Sequence, residues 1–589
     1  MAFRQRRLVF GTLGIALSAA VLYGCKDLLT DNAAPQGTLN EQTLATKSGV
    51  EGNLIAAYRA LDCTDQTNAN WGCAASNWAW NTVSDDEYKG SESSDQSPIN
   101  DIEALHWSTA DAESYLNVKW KQSYEGVTRA NATIRLLKEV QAASPGAITA
   151  AEAAGIRGEA MFLRAHYHFE AWEMWGSIPY YRDDDTDFRK ANEASDAVIT
   201  DILRDLDSAI TLLPTSPRNG EVGRASQWTA RAYKGRVQVY AGKYADALTT
   251  LRQVRTSGPY ALESSFDRVW TGFQEYVNGK ETILAYQASA NDGDPNGSNA
   301  NYGERLNFPH SGSPFGCCGF HQPAQNLVNF YGVDANGLPI ALTNPNWNAN
   351  DANFTAANNK VAVDPRLDWT VGRDGVPYKD WGKHESGWIR APAYGGPYSP
   401  KKNVHEKASG AQSTVGWTNT QLNSVNIHIF RYADMLLLLA EAEVEAGSLE
   451  NARAIVNEIR TRAGVKVQGP GADKATMAVA INDPSITWAT YKIGLYNTPW
   501  TNQADARTYV RYERRLELAM EGHRFFDLRR WGIADQTINS YLAVEKNRRL
   551  YLGGAEPYTS RHKYFPIPAL QIELSKVGAD SRLKQNPGW

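Results

Sequence analysis

The segment GRVQVYAGKYADALTTLRQV, residues 235–254, and the segment AEAEVEAGSLENARAIVNEI, residues 440–459, carry one pattern twice. Gly235, Gly242, Tyr244, Ala247, Leu251 and Val254 correspond, 205 positions further on, to Ala440, Gly447, Leu449, Ala452, Val456 and Ile459. A small residue where two helices touch, a glycine at the turn and an alanine beneath an aliphatic pair describe the tetratricopeptide helix-turn-helix unit. One such hairpin cannot bury its apolar face alone. Two units so far apart therefore imply one helical repeat body interrupted by an insertion.

Outward from these units, helical patterning dominates from about residue 48 to 255. Ile199, Ile202, Leu203, Leu206, Ile210 and Leu213 form a stripe at three- and four-residue steps that opens after Ser195 and stops at Pro214. Helices around 45–62, 115–141, 152–175 and 195–213 are expected to complete the stack. The intervening stretch, about 260–425, has a different character. It is rich in Gly, Asn and Pro, has no sustained helical period, and is punctuated by Trp270, Trp347, Trp369, Trp381, Trp388 and Trp417. That aromatic density argues against disorder, and long irregular segments of compact proteins are commonly functional. The expected fold is mainly α. Tetratricopeptide-like helix pairs over about 49–255 and 426–532 form the scaffold, with an irregular, loop-rich insertion over 260–425 and a C-terminal segment over 533–589.

Hydrophobic residues at 42% and charged residues at 21% fit a folded body and exclude both a disordered chain and a polytopic membrane fold. A net charge of -5 offers no general attraction for nucleic acid or an anionic bilayer. The first two dozen residues read as an export signal. Arg4, Arg6 and Arg7 precede an apolar run, Leu8 to Tyr23, that is short for a membrane span. Leu22-Tyr23-Gly24-Cys25 resembles a lipoprotein signal-peptidase site, which would make Cys25 the acylated first residue, with residues 1–24 removed and 25–48 a polar tether. An ordinary signal peptide with an incidental cysteine is the alternative. In the oxidising context of an exported chain, Cys63 and Cys73 are placed to form a disulfide, and the adjacent Cys317 and Cys318 are read as structural.

Several longer motifs point to a family. Asn426 to Leu437 (NIHIFRYADMLL) runs into Ala440-Glu441-Ala442 and ends at Arg462-Ala463-Gly464. Glu513 to Leu518 (ERRLEL) leads to Glu521 to Trp531 (EGHRFFDLRRW). With Phe162-Leu163-Arg164-Ala165, Asp364-Pro365-Arg366-Leu367, Phe565-Pro566-Ile567-Pro568 and the terminal Asn586-Pro587-Gly588-Trp589, the chain from about residue 25 onward resembles the SusD/RagB proteins. The resemblance implies a tetratricopeptide scaffold and a surface-exposed outer-membrane lipoprotein. Such a protein binds a glycan, or in some relatives a peptide, and delivers it to a SusC-like TonB-dependent transporter. Lys26-Asp27 after the cysteine is similar to the stretch that directs such lipoproteins to the cell surface. The identity of the ligand does not follow from the family.

No recognisable catalytic apparatus is present: there is no phosphate-cradling Gly-rich loop ending in Lys-Ser/Thr, no His-Glu-x-x-His and no Gly-x-Ser-x-Gly. The charges of Glu513, Arg514, Arg515, Glu517, Glu521, Arg524 and Asp527 are spaced for ion pairs. Asp183-Asp184-Asp185 reads as a solvated turn and Asp85-Asp86-Glu87 as a helix-loop junction. Asp292, Asp294 and Asn296 open like a calcium loop, but the twelfth position is Gly303 where the bidentate Glu belongs, so a turn-rich loop is the preferred reading and no cofactor is expected. Aromatic rings remain as candidate ligand contacts: Trp71, Trp78 and Trp80 beside Cys73, and Trp381 and Trp388 in the insertion. A planar ring suits the apolar face of a sugar while nearby Asn and Asp bond its hydroxyls. Burial of these rings in the body is the competing reading. A non-catalytic binding protein is the expectation, with a surface glycan hydrolase or a protein-binding scaffold as rivals.

Overall fold

The two repeat segments fold as helical hairpins that pack against each other in the computed structural model of the chain. It describes residues 45–63, 71–107, 110–310, 312–342, 344, 361–416, 419–465 and 484–589. The expected leader, Cys25, the tether up to residue 44, Trp347 and Trp417 lie outside the described residues. Before the insertion come α1 (Lys47–Arg59), α2 (Ala110–Ala143), α3 (Ala150–Trp175), α4 (Ser195–Leu212), α5 (Gln227–Tyr240) and α6 (Tyr244–Ser257). After it come α7 (Tyr432–Ala446), α8 (Leu449–Ala463), α9 (Gln503–Leu518), α10 (Arg524–Arg530) and α11 (Ala534–Arg548). Consecutive helices from α2 to α6 pack in series, α6 then packs on α7 across the insertion, and α7 holds both α8 and α9.

Local chemistry sets the helix starts. Thr149 and Glu152 form a capping box at α3, and the Asn502 side chain accepts from Ala504 N and Asp505 N at α9. The repeat residues do what their pattern implies. A Cβ on Gly235 would lie 2.2 Å from Leu251 Cδ2, so α5 and α6 touch there only because the side chain is absent. Gly242 makes the turn at φ +69°, a left-handed conformation that glycine adopts without strain. Between the two units, Arg252 grips Glu443 with two bonds of 2.7 Å and Arg255 reaches Glu458 at 2.8 Å. Units distant in sequence are thus adjacent in space.

The insertion consists of loops, short strands and short helical segments, and its two ends are stitched together. In chain order the strands that matter are β1 (Glu87–Gly90), β2 (Thr282–Tyr286), β3 (Phe320–Pro323), β4 (Val371–Gly372), β5 (Ser399–Pro400) and β6 (Ile427–Arg431). β2 pairs antiparallel with β6, β1 with β3, and β4 with β5.

A buried ion lattice fastens this layer to the scaffold. Arg366 bonds Asp364, Glu513 at 2.7 Å and Glu517 at 3.1 Å. Arg431 at the end of β6 bonds Glu281 at 2.6 Å, Glu517 at 2.8 Å and Glu521 at 2.7 Å, while Arg460 of α8 takes Glu513 at 2.8 Å. Arg515 pairs with Asp86 at 2.7 Å and Arg524 with Asp85 at 2.8 Å, so the acidic junction before β1 is held by the far end of the chain. Charges removed from water persist only when paired this fully. The C-terminal segment closes the body: Phe565 stacks on Trp107 at 4.1 Å, and Asn586 Nδ2 donates to Trp175 O at 3.0 Å. Among the described residues no helix is long and apolar enough to cross a membrane.

Candidate functional site

Turns of the insertion converge on an apolar centre of their own, formed by Phe308, Phe315, Tyr378, Trp388 and Val404, with Trp381 packed half-exposed against it. The Trp381 ring is framed by Phe315 at 4.7 Å and by His405 at 5.1 Å, nearly perpendicular at 85°. Its Nε1 donates to His405 O at 2.8 Å. Asp380 accepts from Lys407 N at 2.6 Å and Ala408 N at 2.8 Å, which ties the turn carrying Trp381 to the turn beside it. Thr420 Oγ1 donates to Phe315 O at 2.8 Å, so the framing ring is held as well. Nearby, Cys317 and Cys318 are joined in a vicinal disulfide.

Electrostatically the face is quiet. Burial, then the neighbouring Lys379 cation, push His405 down to about 3, so its imidazole is neutral across the physiological range. Burial pushes Lys379 down to about 8, and its ammonium donates to Trp270 O at 2.8 Å and to Val404 O. The exposed Lys407 places its ammonium 5.8 Å from the Trp381 ring centroid. A fixed, half-exposed indole whose N–H is already satisfied can stack on an apolar ring face.

Of the five tryptophans singled out from sequence, Trp381 alone keeps a half-exposed position. Trp78 and Trp80 correct the expectation of a loop face: both are fully buried. The segment Trp78–Asn81 is a single helical turn pressed into the core. Trp78 Nε1 donates to Gly303 O at 3.0 Å with Phe320 edge-on at 5.9 Å, and Trp80 Nε1 donates to Gly72 O at 2.8 Å with Phe565 at 5.1 Å. Gly303, Phe320 and Phe565 come from segments more than 200 residues away, whereas Gly72 is a near neighbour of Trp80 in the chain. Trp71 is also buried, with the Arg305 guanidinium 5.3 Å over its ring, and Trp388 belongs to the apolar centre itself. Cys63 and Cys73 are joined, with Cα atoms 5.0 Å apart. Phe315, His405 and Lys407 escaped the sequence reading. The only local signal for them is the run of Gly and Pro around Phe315.

Asp292 and Asp294 spend their oxygens inside their own turn. Asp294 accepts from Asn296 N at 3.0 Å and Ser298 N at 2.8 Å, and Asp292 from Asp294 N at 3.1 Å and Asn299 Nδ2 at 2.9 Å. Among the described residues no group of three or more His, Cys, Asp or Glu is arranged to hold a metal. Two of the interior carboxyls displaced upward are held by neutral donors. Burial pushes Glu103 up to about 8 beside the Tyr551 hydroxyl at 2.7 Å, and Glu304 up to about 7 beside Asn307 Nδ2 at 2.7 Å.

The family profile described as the SusD family matches residues 280–589, more than half of the chain. The chain belongs to the SusD family. A second profile, described as starch-binding associating with outer membrane, matches residues 59–239. Among curated relatives, a SusD-like protein P38 of Formosa agariphila is 24% identical over 556 residues, covering 92% of this chain and 94% of that one. Among solved structures, a laminarin binding SusD-like protein is 22% identical at a TM-score of 0.63, covering 92% of this chain and 100% of that chain. Surface glycan-binding protein A from Bacteroides thetaiotaomicron, in complex with laminarihexaose, is 18% identical at 0.62, covering 92% and 99%. At these identities the structures show that the SusD fold, helical scaffold and loop layer together, is shared along nearly the whole chain.

Proposed function

We propose that this SusD-family chain captures a glycan at the Trp381 face and delivers it, without cleaving it, to a SusC-like TonB-dependent transporter. It works from a lipid anchor at Cys25 on the extracellular side of the outer membrane. The observation that carries the reading is the Trp381 ring. Its edge is tied to His405 O, its frame is rigid, and it stays half-exposed where most large rings of the body are buried. An aromatic platform suits equilibrium binding of a sugar ring. Relatives whose printed names include laminarin binding and surface glycan binding support the ligand class, and a profile named for association with the outer membrane supports the location.

The test is a calorimetric titration of the mature chain with laminarihexaose, other neutral and charged oligosaccharides, and peptides, with a parallel assay for new reducing ends. Saturable glycan binding is expected, weakened in Trp381→Ala by about 1–3 kcal/mol by analogy with base stacking on aromatic rings. No reducing ends should form. Unchanged affinity in Trp381→Ala would remove the site, saturable binding of peptides alone would remove the ligand class, and appearance of reducing ends would remove the non-catalytic reading.

A further inference from the structure

Outside the insertion, the turn after α3, the middle of α2 and the C-terminal helix α12 (Ala569–Leu574) enclose a cavity of about 240 Å³. Four cations line it, Arg135, Arg182, Arg189 and Lys190, and no Asp or Glu does. Its walls are fixed to one another. The Tyr124 hydroxyl donates to Pro179 O at 2.9 Å, the Tyr181 hydroxyl to Phe188 O at 3.0 Å, and Arg189 Nη1 to Lys576 O at 2.9 Å. The volume falls just below the roughly 300–1,000 Å³ of small-ligand sites, which suits one terminal unit better than a chain.

Two of the four cations are engaged by carboxylates. Arg182 pairs with Asp201 at 2.5 Å, and Lys190 with Asp185 at 3.1 Å while donating to Tyr180 O at 2.6 Å. The other two bond main-chain carbonyls, Arg135 Nη1 reaching Asp183 O at 3.4 Å and Arg189 Nη1 reaching Lys576 O. A guanidinium carries several N–H donors, so both keep donors to offer. The acids of the same turn are occupied: Asp183 takes Lys138 at 2.6 Å and Arg164 at 2.9 Å, and Asp187 accepts from Arg189 N at 2.9 Å. Arg135 is half-buried and Arg189 exposed, which leaves both guanidiniums within reach of solvent. Beside them stands an apolar lip, with Phe188 74% and Leu574 60% exposed on the same cavity. An exposed ring beside open guanidiniums fits a ligand that carries both an anion and an apolar face.

We propose that this cavity binds the acidic unit of a glycan, a uronate whose carboxylate is held by Arg135 and Arg189 while the apolar face of its ring lies on Phe188. It rests on the reading of the chain as a carbohydrate-binding protein, but on residues that share nothing with the Trp381 face. The planar guanidinium fork matches the two oxygens of a carboxylate. An uncharged sugar leaves that match unused. Because the chain as a whole carries a net charge of -5, the attraction is a local one, made at the cavity.

The experiment is a calorimetric titration of the full, detergent-solubilised chain with digalacturonate, its methyl ester, laminarihexaose and N-acetylphenylalanine. Digalacturonate should bind saturably, and more weakly as salt rises. The ester keeps the rings and loses the charge, so it should bind at least about tenfold more weakly, the scale of one hydrogen bond to a charged group. Arg135→Gln combined with Arg189→Gln should cost digalacturonate as much. Phe188→Ala, at an exposed ring whose main-chain bond to Tyr181 persists, should also weaken it, and Trp381→Ala should leave it unchanged. Thermal melts of all variants should match the wild type. Absence of digalacturonate binding, equal binding of the ester, or an affinity unmoved by both the arginine pair and Phe188→Ala overturns the site. Loss of digalacturonate binding in Trp381→Ala overturns it too, and tighter binding of N-acetylphenylalanine overturns the sugar as ligand. Digalacturonate binding without laminarihexaose binding upholds the cavity and counts against the Trp381 face.

Discussion

Glu517 is the carboxylate on which the insertion and the scaffold meet, and Glu517→Gln is the substitution that tests whether the ion lattice holds them together. Its Oε1 takes Arg431 Nη1 at 2.8 Å and a bond from Arg462, its Oε2 takes Arg366 Nη1 at 3.1 Å, and the residue is fully buried. Burial by itself raises a carboxyl. Here the guanidiniums of Arg462, Arg431 and Arg366 outweigh it and hold Glu517 at about 2, against an ordinary 4.5. That displacement favours the charged form by about 3 kcal/mol, in line with the ~3–5 kcal/mol lost when one partner of a buried pair is removed. Glutamine keeps the volume but turns N–H donors toward three guanidiniums. The expected loss in urea-unfolding free energy at neutral pH is therefore about 3 kcal/mol.

The sign of the pH dependence follows from the same displacement. A group held lower in the folded state than in the unfolded one stabilises fully above the unfolded value of 4.5, and this contribution fades as pH falls toward 2. The gap between the wild type and Glu517→Gln should thus be widest near neutrality and close on acidification, followed by tryptophan fluorescence as far down as the fold persists. A neutral-pH gap under about 1 kcal/mol, the scale of a surface pair, would refute the reasoning. So would a gap that ignores pH.

Trp80→Ala should lower stability by about 3–5 kcal/mol, because it removes a fully buried ring packed on Phe565; a thermal melt like that of the wild type would mean that the ring is not core. Cys25→Ser should release the protein from membranes and abolish metabolic acyl labelling, and a variant that stays membrane-bound without label would contradict the anchor. Extraction in mild detergent should recover a large β-barrel protein with this chain. Recovery of the chain alone, under conditions that preserve other outer-membrane complexes, would count against the transporter partnership.

The scaffold was legible because helices are written locally. The stripe from Ile199 to Leu213 and the paired glycines and alanines of the two repeats depend on neighbours three to seven residues away, and the structure places helices at Ser195–Leu212 and across both repeats. The insertion's irregularity was legible for the same reason. The candidate site was legible only in part. Tryptophan density marked the insertion as the place to look, but Trp78 beside Asn77 and Trp381 beside Gly382 both lie outside the helical stripes and meet opposite fates.

What the sequence determined by itself is the class of architecture, the repeat and the family, since each rests on short-range periodicity or on ordered motifs. Only the tertiary structure decided which rings are buried and which charges are paired. Trp78 is closed over by Phe320, Asp85 and Asp86 are neutralised by Arg524 and Arg515, and Glu517 gathers Arg366, Arg431 and Arg462. Burial and pairing are properties of contacts between segments distant in the chain, and a residue's own neighbours in sequence carry no record of what the fold brings against it.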